Sequence, residues 1–403
     1  MQRKDRKKIH KIDGIKLSSV YSGMYKKKRL DLSIIEISSG STISGVFTKN
    51  KAKSDTVTIS QNNLKRGKSK YIIVNSGNAN AGTGESGYKD IIKYSNILAK
   101  LSNSNLREIL VFSTGVIGER IDVDKIIISI PKLLKTTDSE NWLNFSKSIL
   151  TTDTVNKIIS KKVKIKGKYI SITGCTKGSG MINPNMATML SFVATDIKIK
   201  KSTLSKLLRK VTEKSYNMIT VDGETSTNDS SILIATGKSN IEYENLNIKE
   251  KEFFYNEIEN IYIGLAKKII KDGEGSTKFI TINVNNVASK SEGKKIAMKI
   301  AKSALVKTAM FAEDPNWGRI LSAVGNAETK LNNLKKITIS LGNIILFKNS
   351  EIYKKYDETK AIKYLKNKNI DINIDCNNGK HNATVWTTDL SYEYIKINAE
   401  YRT

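Results

Sequence analysis

The sequence predicts a mixed α/β (α+β) fold of mixed sheets sandwiched with helices. Strand-like and helix-like segments alternate through the first half of the chain, and alternating apolar strands recur toward its end. At 403 residues the chain is long enough for a substantial buried core. No internal repeat, coiled-coil heptad or low-complexity linker breaks the pattern, so a compact body is expected.

The elements follow in order. Leu32 to Ile37 and Tyr71 to Asn75 are apolar runs of strand length, and Gly87 to Leu101 sets Ile91, Tyr94, Leu98 and Leu101 on one helical face. Ile109 to Phe112 is another strand. Val163 to Lys166 and Lys168 to Ile172 flank Gly167 as a hairpin and deliver the chain to a glycine-rich stretch, KGSGMINPNMATML, from Lys177 to Leu190. Thr188 to Ala194 then reads as a short buried strand. Beyond it come a helix near Thr203 to Ser215, a strand at Ile232 to Thr236, a helix around Phe253 to Ile270 and the alternating strand Phe279 to Val284. An amphipathic helix is expected over Lys294 to Val306. Ile337 to Leu341, Ile344 to Phe347, Ile370 to Cys376 and Ala383 to Trp386 complete the strands, with Asn377-Asn378-Gly379 as a hairpin turn.

Composition excludes several function classes. No run of about 18 apolar residues exists, so no membrane span is expected. The basic amino terminus lacks the apolar segment of a secretory signal, and the cytoplasm is the expected location. Cys175 and Cys376 alone cannot make a disulfide framework or an all-cysteine zinc site. The net charge of +29 is enough to attract nucleic acid. Its lysines, however, are scattered, no nucleic-acid-binding motif accompanies them, and the richness in Lys, Ile and Asn reads as genome composition. No nucleic-acid partner is expected. The only histidines are His10 and His381, which leaves few bases for a Ser-His-Asp or Cys-His arrangement and argues against a histidine-rich metal site.

Thr188 is the candidate nucleophile. Gly178, Gly180 and Pro184 punctuate the approach to it, and an apolar strand follows. A threonine hydroxyl needs a base, and its own α-amine can serve if the Ala187-Thr188 bond is cut. That amine titrates near pH 8, about where a base is useful in a cell. In an N-to-O acyl shift the same hydroxyl attacks the preceding carbonyl, and small Ala187 leaves room for it. Polar clusters fall in or beside predicted loops: NSGNANAGTG (Asn75 to Gly84), FSTGVIGE (Phe112 to Glu119), TTDT (Thr151 to Thr154), VDGETSTNDS (Val221 to Ser230), KDGEGSTK (Lys271 to Lys278) and KINAEYRT (Lys396 to Thr403). Each alone is ordinary turn chemistry. Thr114 and Gly115 offer a hydroxyl and a backbone N–H to a developing oxyanion; an ordinary β-turn is the competing reading.

Taken in order, KGSGMINPNMATML, NSGNANAGTG, STGVIGE, VDGETSTNDS, DGEGSTK, KTAMFAEDPNWGRI (Lys307 to Ile320) and DLSYEYIKINAEYRT closely resemble the glutamate N-acetyltransferase (ornithine acetyltransferase) family of arginine biosynthesis. The resemblance runs from Gly45 to Thr403. It implies an N-terminal-nucleophile-like, self-processing architecture in which cleavage between Ala187 and Thr188 gives an α chain, 1–187, and a β chain, 188–403. Thr188 takes acetyl from N2-acetyl-L-ornithine and passes it to L-glutamate by a ping-pong mechanism. Thr114 and Gly115 correspond to the family's oxyanion hole. Substrate contacts carry over to Thr151 of the TTDT run, Lys177, Thr188, Glu274, Asn398 and Thr403. The assembly implied is a heterotetramer of two α and two β chains. No metal or resident cofactor is implied; acetyl-CoA enters only as a co-substrate of bifunctional members, which share these motifs. Asn156, where a proline is common, and the lysine-rich run after Asn50 depart from the family pattern.

On physical grounds Lys177 suits a substrate α-carboxylate, Glu274 the ornithine ammonium, and Asn398 and Thr403 hydrogen bonds. The competing readings are a self-processing N-terminal-nucleophile amidohydrolase or aminopeptidase, with water as acceptor, and a basic nucleic-acid-binding protein.

Overall fold

The computed structural model describes residues 8–25, 28–183, 189–329 and 334–400. The chain divides into two compact units. The first takes Met1–Gly178, Pro184–Asn217 and Thr225–Ile269, and the second takes Ser179–Asn183, Met218–Glu224 and Ile270–Thr403.

In the first unit the elements run β1 (Ile15–Val20), β2 (Leu32–Ile37), β3 (Thr42–Phe47), α1 (Asp55–Lys65), β4 (Tyr71–Asn78), α2 (Gly84–Leu101), β5 (Ile109–Val116), α3 (Val123–Lys135) and α4 (Trp142–Ser148). They continue through β6 (Lys157–Ile165), β7 (Lys168–Lys177), β8 (Leu190–Thr195), α5 (Lys201–Lys214), β9 (Ser230–Ala235) and α6 (Ile248–Lys271). A four-stranded sheet has the order β1-β2-β4-β5, and a five-stranded sheet has the order β3-β9-β8-β7-β6. The strand period of two sends neighbouring side chains to opposite layers. Ile72 and Leu110 face Phe192, Ala194 and Ile232 of the other sheet, while Ile73 and Ile109 pack under Ile91 and Leu98 of α2 and Ile126 and Ile130 of α3. On the far side α5 reaches β3 through Ser205 and Ser44, 2.9 Å apart, and α6 reaches β6 through the Lys161–Glu257 ion pair. The unit is a helix–sheet–sheet–helix sandwich, as the sequence predicts.

The second unit contains β10 (Phe279–Val287), α7 (Lys290–Ala301), α8 (Ala304–Phe311), α9 (Trp317–Gly325), β11 (Thr338–Leu341), β12 (Ile344–Lys348), β13 (Glu351–Ile352), α10 (Glu358–Leu365), β14 (Asn369–Asp375), β15 (His381–Thr388) and α11 (Tyr392–Ala399). Its six-stranded sheet has the order β13-β12-β11-β14-β10-β15. Ile280, Ile282, Ile370 and Ile372 bury one face against Ile296 and Ile300 of α7 and Met310 of α8.

Three expectations are corrected here. Asn377-Asn378-Gly379 is not a hairpin turn, because β10 lies between β14, its parallel partner, and β15, its antiparallel partner. The loop instead wraps the end of β10: Asn378 N–H donates to Asn286 O at 2.7 Å, and a Cβ on Gly379 would stand 2.3 Å from Val287 O. The helix expected over 294–306 is two helices, parted at Lys302 and Ser303, where the Ser303 side chain caps α8 by accepting from Val306 N–H at 3.3 Å. The terminal KINAEYRT cluster is not a loop, since its described part continues α11. Among the described residues no helix is long and apolar enough to cross a membrane.

Candidate active site

Thr114 and Gly115 sit near the carboxyl end of β5, where β4 runs alongside in parallel. Gly115 has φ +133, and a Cβ there would lie 2.3 Å from Gly77 C and 2.5 Å from Asn78 N. Only glycine fits so close a backbone approach. The polar motifs brace this strand end: Asn228 Nδ2 donates to Ala79 O at 2.6 Å and Ser113 O at 2.9 Å, and Ser54 Oγ donates to Asn80 O at 2.7 Å. Ala79 and Asn80 of NSGNANAGTG and Asn228 of VDGETSTNDS thus serve as scaffold beside Thr114.

Lys177 ends β7 and is buried; its Nζ donates to Thr114 Oγ1 at 3.0 Å. An ammonium only donates, so the threonine oxygen accepts in this contact and its hydroxyl proton is directed elsewhere. Asp153, which the sequence reading passed over in favour of its threonine neighbours, organises the surroundings. Its carboxylate accepts from Lys157 Nζ at 2.5 Å, Gly178 N–H at 2.7 Å and Thr151 N–H at 3.1 Å. Burial opposes ionisation of Asp153, but Lys177, Lys157 and the Gly178 N–H outweigh it and hold the carboxyl below its ordinary range. Through Asp153 and Thr114 the first unit brings Thr151, Lys177 and the oxyanion candidates together.

In the second unit, Glu274 is buried, and its Oε2 accepts from Asn398 Nδ2 at 3.0 Å. Asn398 lies on α11, whose N-cap Ser391 donates to Gly275 O at 2.5 Å and so ties the helix to the Glu274 loop. Asp389 fixes the same loop by accepting from Thr277 N–H at 2.9 Å and Lys278 N–H at 3.0 Å. A Cβ on Gly180 would fall 2.2 Å from Glu274 Oε2, so the absent side chain makes room for the carboxylate. The candidate pair Glu274 and Asn398 therefore meets. Ala187, Thr188 and Thr403 lie outside the described residues.

Cysteine does not offer a rival nucleophile. Burial pushes the Cys175 thiol far above its ordinary range and that of Cys376 up to about 12, so neither is a thiolate at neutral pH.

A model of the ArgJ family matches residues 16–403. The arginine biosynthesis bifunctional protein ArgJ of Colwellia psychrerythraea is 41% identical over 409 residues, covering 97% of this chain and 96% of that protein. The protein of the same name from Psychrobacter arcticus is 41% identical over 397 residues, covering 98% of this chain and 97% of its own length. The crystal structure of the arginine biosynthesis bifunctional protein from Bacillus halodurans aligns with a TM-score of 0.50 and 38% identity, over 53% of this chain and 99% of that one. With matches of this extent over a mixed α/β framework, the chain belongs to the ArgJ family.

Proposed function

We propose that this chain is a glutamate N-acetyltransferase of arginine biosynthesis that works through an acetyl-Thr188 intermediate after cleaving itself before that residue. The family match and the relatives' names support the reaction. The observation that carries the chemistry is the Lys177–Thr114 contact: an ammonium 3.0 Å from Thr114 Oγ1 polarises a hydroxyl whose proton is left to bind an oxyanion. In the first half-reaction Thr188 Oγ bonds to the acetyl carbon of N2-acetyl-L-ornithine, and its proton passes through the freed α-amine to the departing ornithine nitrogen. In the second, the amine of L-glutamate attacks the acetyl ester and restores the threonine. Thr114 and Gly115 stabilise both tetrahedral intermediates. Lys177 supplies positive charge for the substrate carboxylate, while Glu274, steered by Asn398, takes the ornithine ammonium. Thr151 and Thr403 complete the substrate contacts.

The relatives' description as bifunctional supports a second activity, acetylation of glutamate from acetyl-CoA. Assembly as two α and two β chains in the cytoplasm is part of the same proposal. The deciding experiment incubates the purified protein with acetylornithine, with and without glutamate. Ornithine release coupled to acetylglutamate formation is expected; release at the same rate without glutamate would make the protein a hydrolase.

A further inference from the structure

Lys307 belongs to the KTAMFAEDPNWGRI motif, which the proposed chemistry leaves unused, and it lies on α8 with its side chain buried. Its Nζ donates to Thr388 O at 2.5 Å, Thr388 Oγ1 at 3.0 Å and Thr387 Oγ1 at 3.3 Å. These acceptors match the three protons of the ammonium. The backbone of the same residue holds the chain that follows, since Lys307 O accepts from Leu390 N–H at 3.3 Å. The end of β15 is thus wrapped around one lysine. From there the chain runs along both sides of Glu274: a Cβ on Gly273 would stand 2.8 Å from Thr388 Cγ2, and Ser391 Oγ donates to Gly275 O at 2.5 Å. Between those contacts Asp389 takes the N–H groups of Thr277 and Lys278. Both chain neighbours of Glu274 therefore rest on the segment 388–391.

Packing alone does not call for a charge at this position. Burying an ammonium costs far more than burying an apolar side chain of the same length. Burial pulls the pKa of Lys307 down to about 8, against the opposing pull of the Asp389 and Asp222 carboxylates. What the charge adds is direction: Nζ grips the carbonyl and the hydroxyl of Thr388 together, and so fixes the peptide that leads into Asp389. Thr387 Oγ1 extends the restraint to Ala301 O at the end of α7, 3.2 Å away. We infer that Lys307 is a positioning residue for Glu274, setting through Thr388 and Asp389 where that carboxylate stands; this rests on the reading of Glu274 as the contact for the ornithine ammonium. Lys307 acts through the loop and not on the substrate. The placement matters because a charge-assisted hydrogen bond is short and strong only when the two groups are aimed at each other.

The test measures the two half-reactions of the proposed exchange separately, because in a ping-pong scheme kcat/KM for acetylornithine and kcat/KM for glutamate each report one of them. The purified protein is assayed at pH 7, where Lys307 is charged. Lys307→Met should lower kcat/KM for acetylornithine about tenfold, the factor for a weakened charge-assisted contact, and leave that for glutamate within about twofold. In a Glu274→Gln background the same substitution should lower it no further, since both changes then act on one contact. Melting of each variant reports its fold. If Lys307→Met fails to fold, Thr388→Val, which keeps the shape and removes one acceptor of the ammonium, is judged by the same selectivity and the same non-additivity. Equal losses in both half-reactions, a loss that adds to that of Glu274→Gln, or no loss at all overturns the positioning role while leaving the Glu274 contact intact. An unchanged kcat/KM for acetylornithine in Glu274→Gln itself overturns both.

Discussion

Asp153 and Lys157 form an ion pair at 2.5 Å with neither side chain exposed to solvent. Such a pair adds little over an apolar substitute, yet breaking it strands a buried charge. Asp153→Asn is therefore expected to cost about 3 to 5 kcal/mol. The folded pKa lies below the unfolded one, so the contribution is full above about pH 4 and is lost as pH falls through the folded value. Urea unfolding at pH 7 and pH 3 checks both parts: the gap between wild type and variant should be smaller at the second than at the first.

Thr114→Ala should lower kcat by about 100-fold or more with little change in KM, because its hydroxyl acts on the tetrahedral intermediate. Thr114→Ser, which keeps the oxygen 3.0 Å from Lys177 Nζ in the native arrangement, should retain most of the activity. Steady-state kinetics with acetylornithine and glutamate decide it, and an unchanged kcat in Thr114→Ala would remove the residue from the mechanism.

Local signals were legible where local chemistry decides the outcome. The β6–β7 hairpin turns at Lys166 and Gly167, both at positive φ, and the apolar runs at 32–37 and 109–112 became buried strands, the inner β2 and the edge strand β5 of the four-stranded sheet. The second unit's strand order was not legible, since choosing β10 over β15 as the neighbour of β14 is a long-range pairing that turn residues do not encode. At the site, Thr114, Gly115 and Lys177 stood out by motif, while Asp153 hid among turn residues. Its signal was the Asp and Lys four apart in TTDTVNK, which only burial turns into an anchor.

Gly180→Ala should weaken substrate binding without harming the fold. The new Cβ would meet the carboxylate of Glu274, the far end of a flexible side chain, so Glu274 swings away and gives up its bond to Asn398 instead of moving the backbone. KM for acetylornithine is expected to rise about tenfold, the effect of losing roughly 1.4 kcal/mol of charge-assisted binding. The melting temperature should change little. Parallel titration and calorimetry of wild type and variant measure both, and an unaltered KM would take Glu274 out of the substrate contacts.

Asp196 gives the opposite pH signature from Asp153. It is buried just after β8 and accepts from Ser171 N–H at 3.1 Å, yet burial pushes its carboxyl up to about 6. The unfolded value is about 3.9, so between about pH 4 and 6 the native state holds a proton that the unfolded chain has released. Stability therefore falls as pH rises through that window, and above it the charged carboxylate sits at a loss. Asp196→Asn keeps an acceptor for Ser171 and removes the charge. It should gain about 1 to 2 kcal/mol at pH 7.5 and almost nothing at pH 4. This window lies above the one in which Asp153 acts, so the two effects separate in urea titrations at pH 3, 4.5 and 7.5. Equal stability of wild type and Asp196→Asn at pH 7.5 would mean that Asp196 ionises in the folded chain as freely as in water.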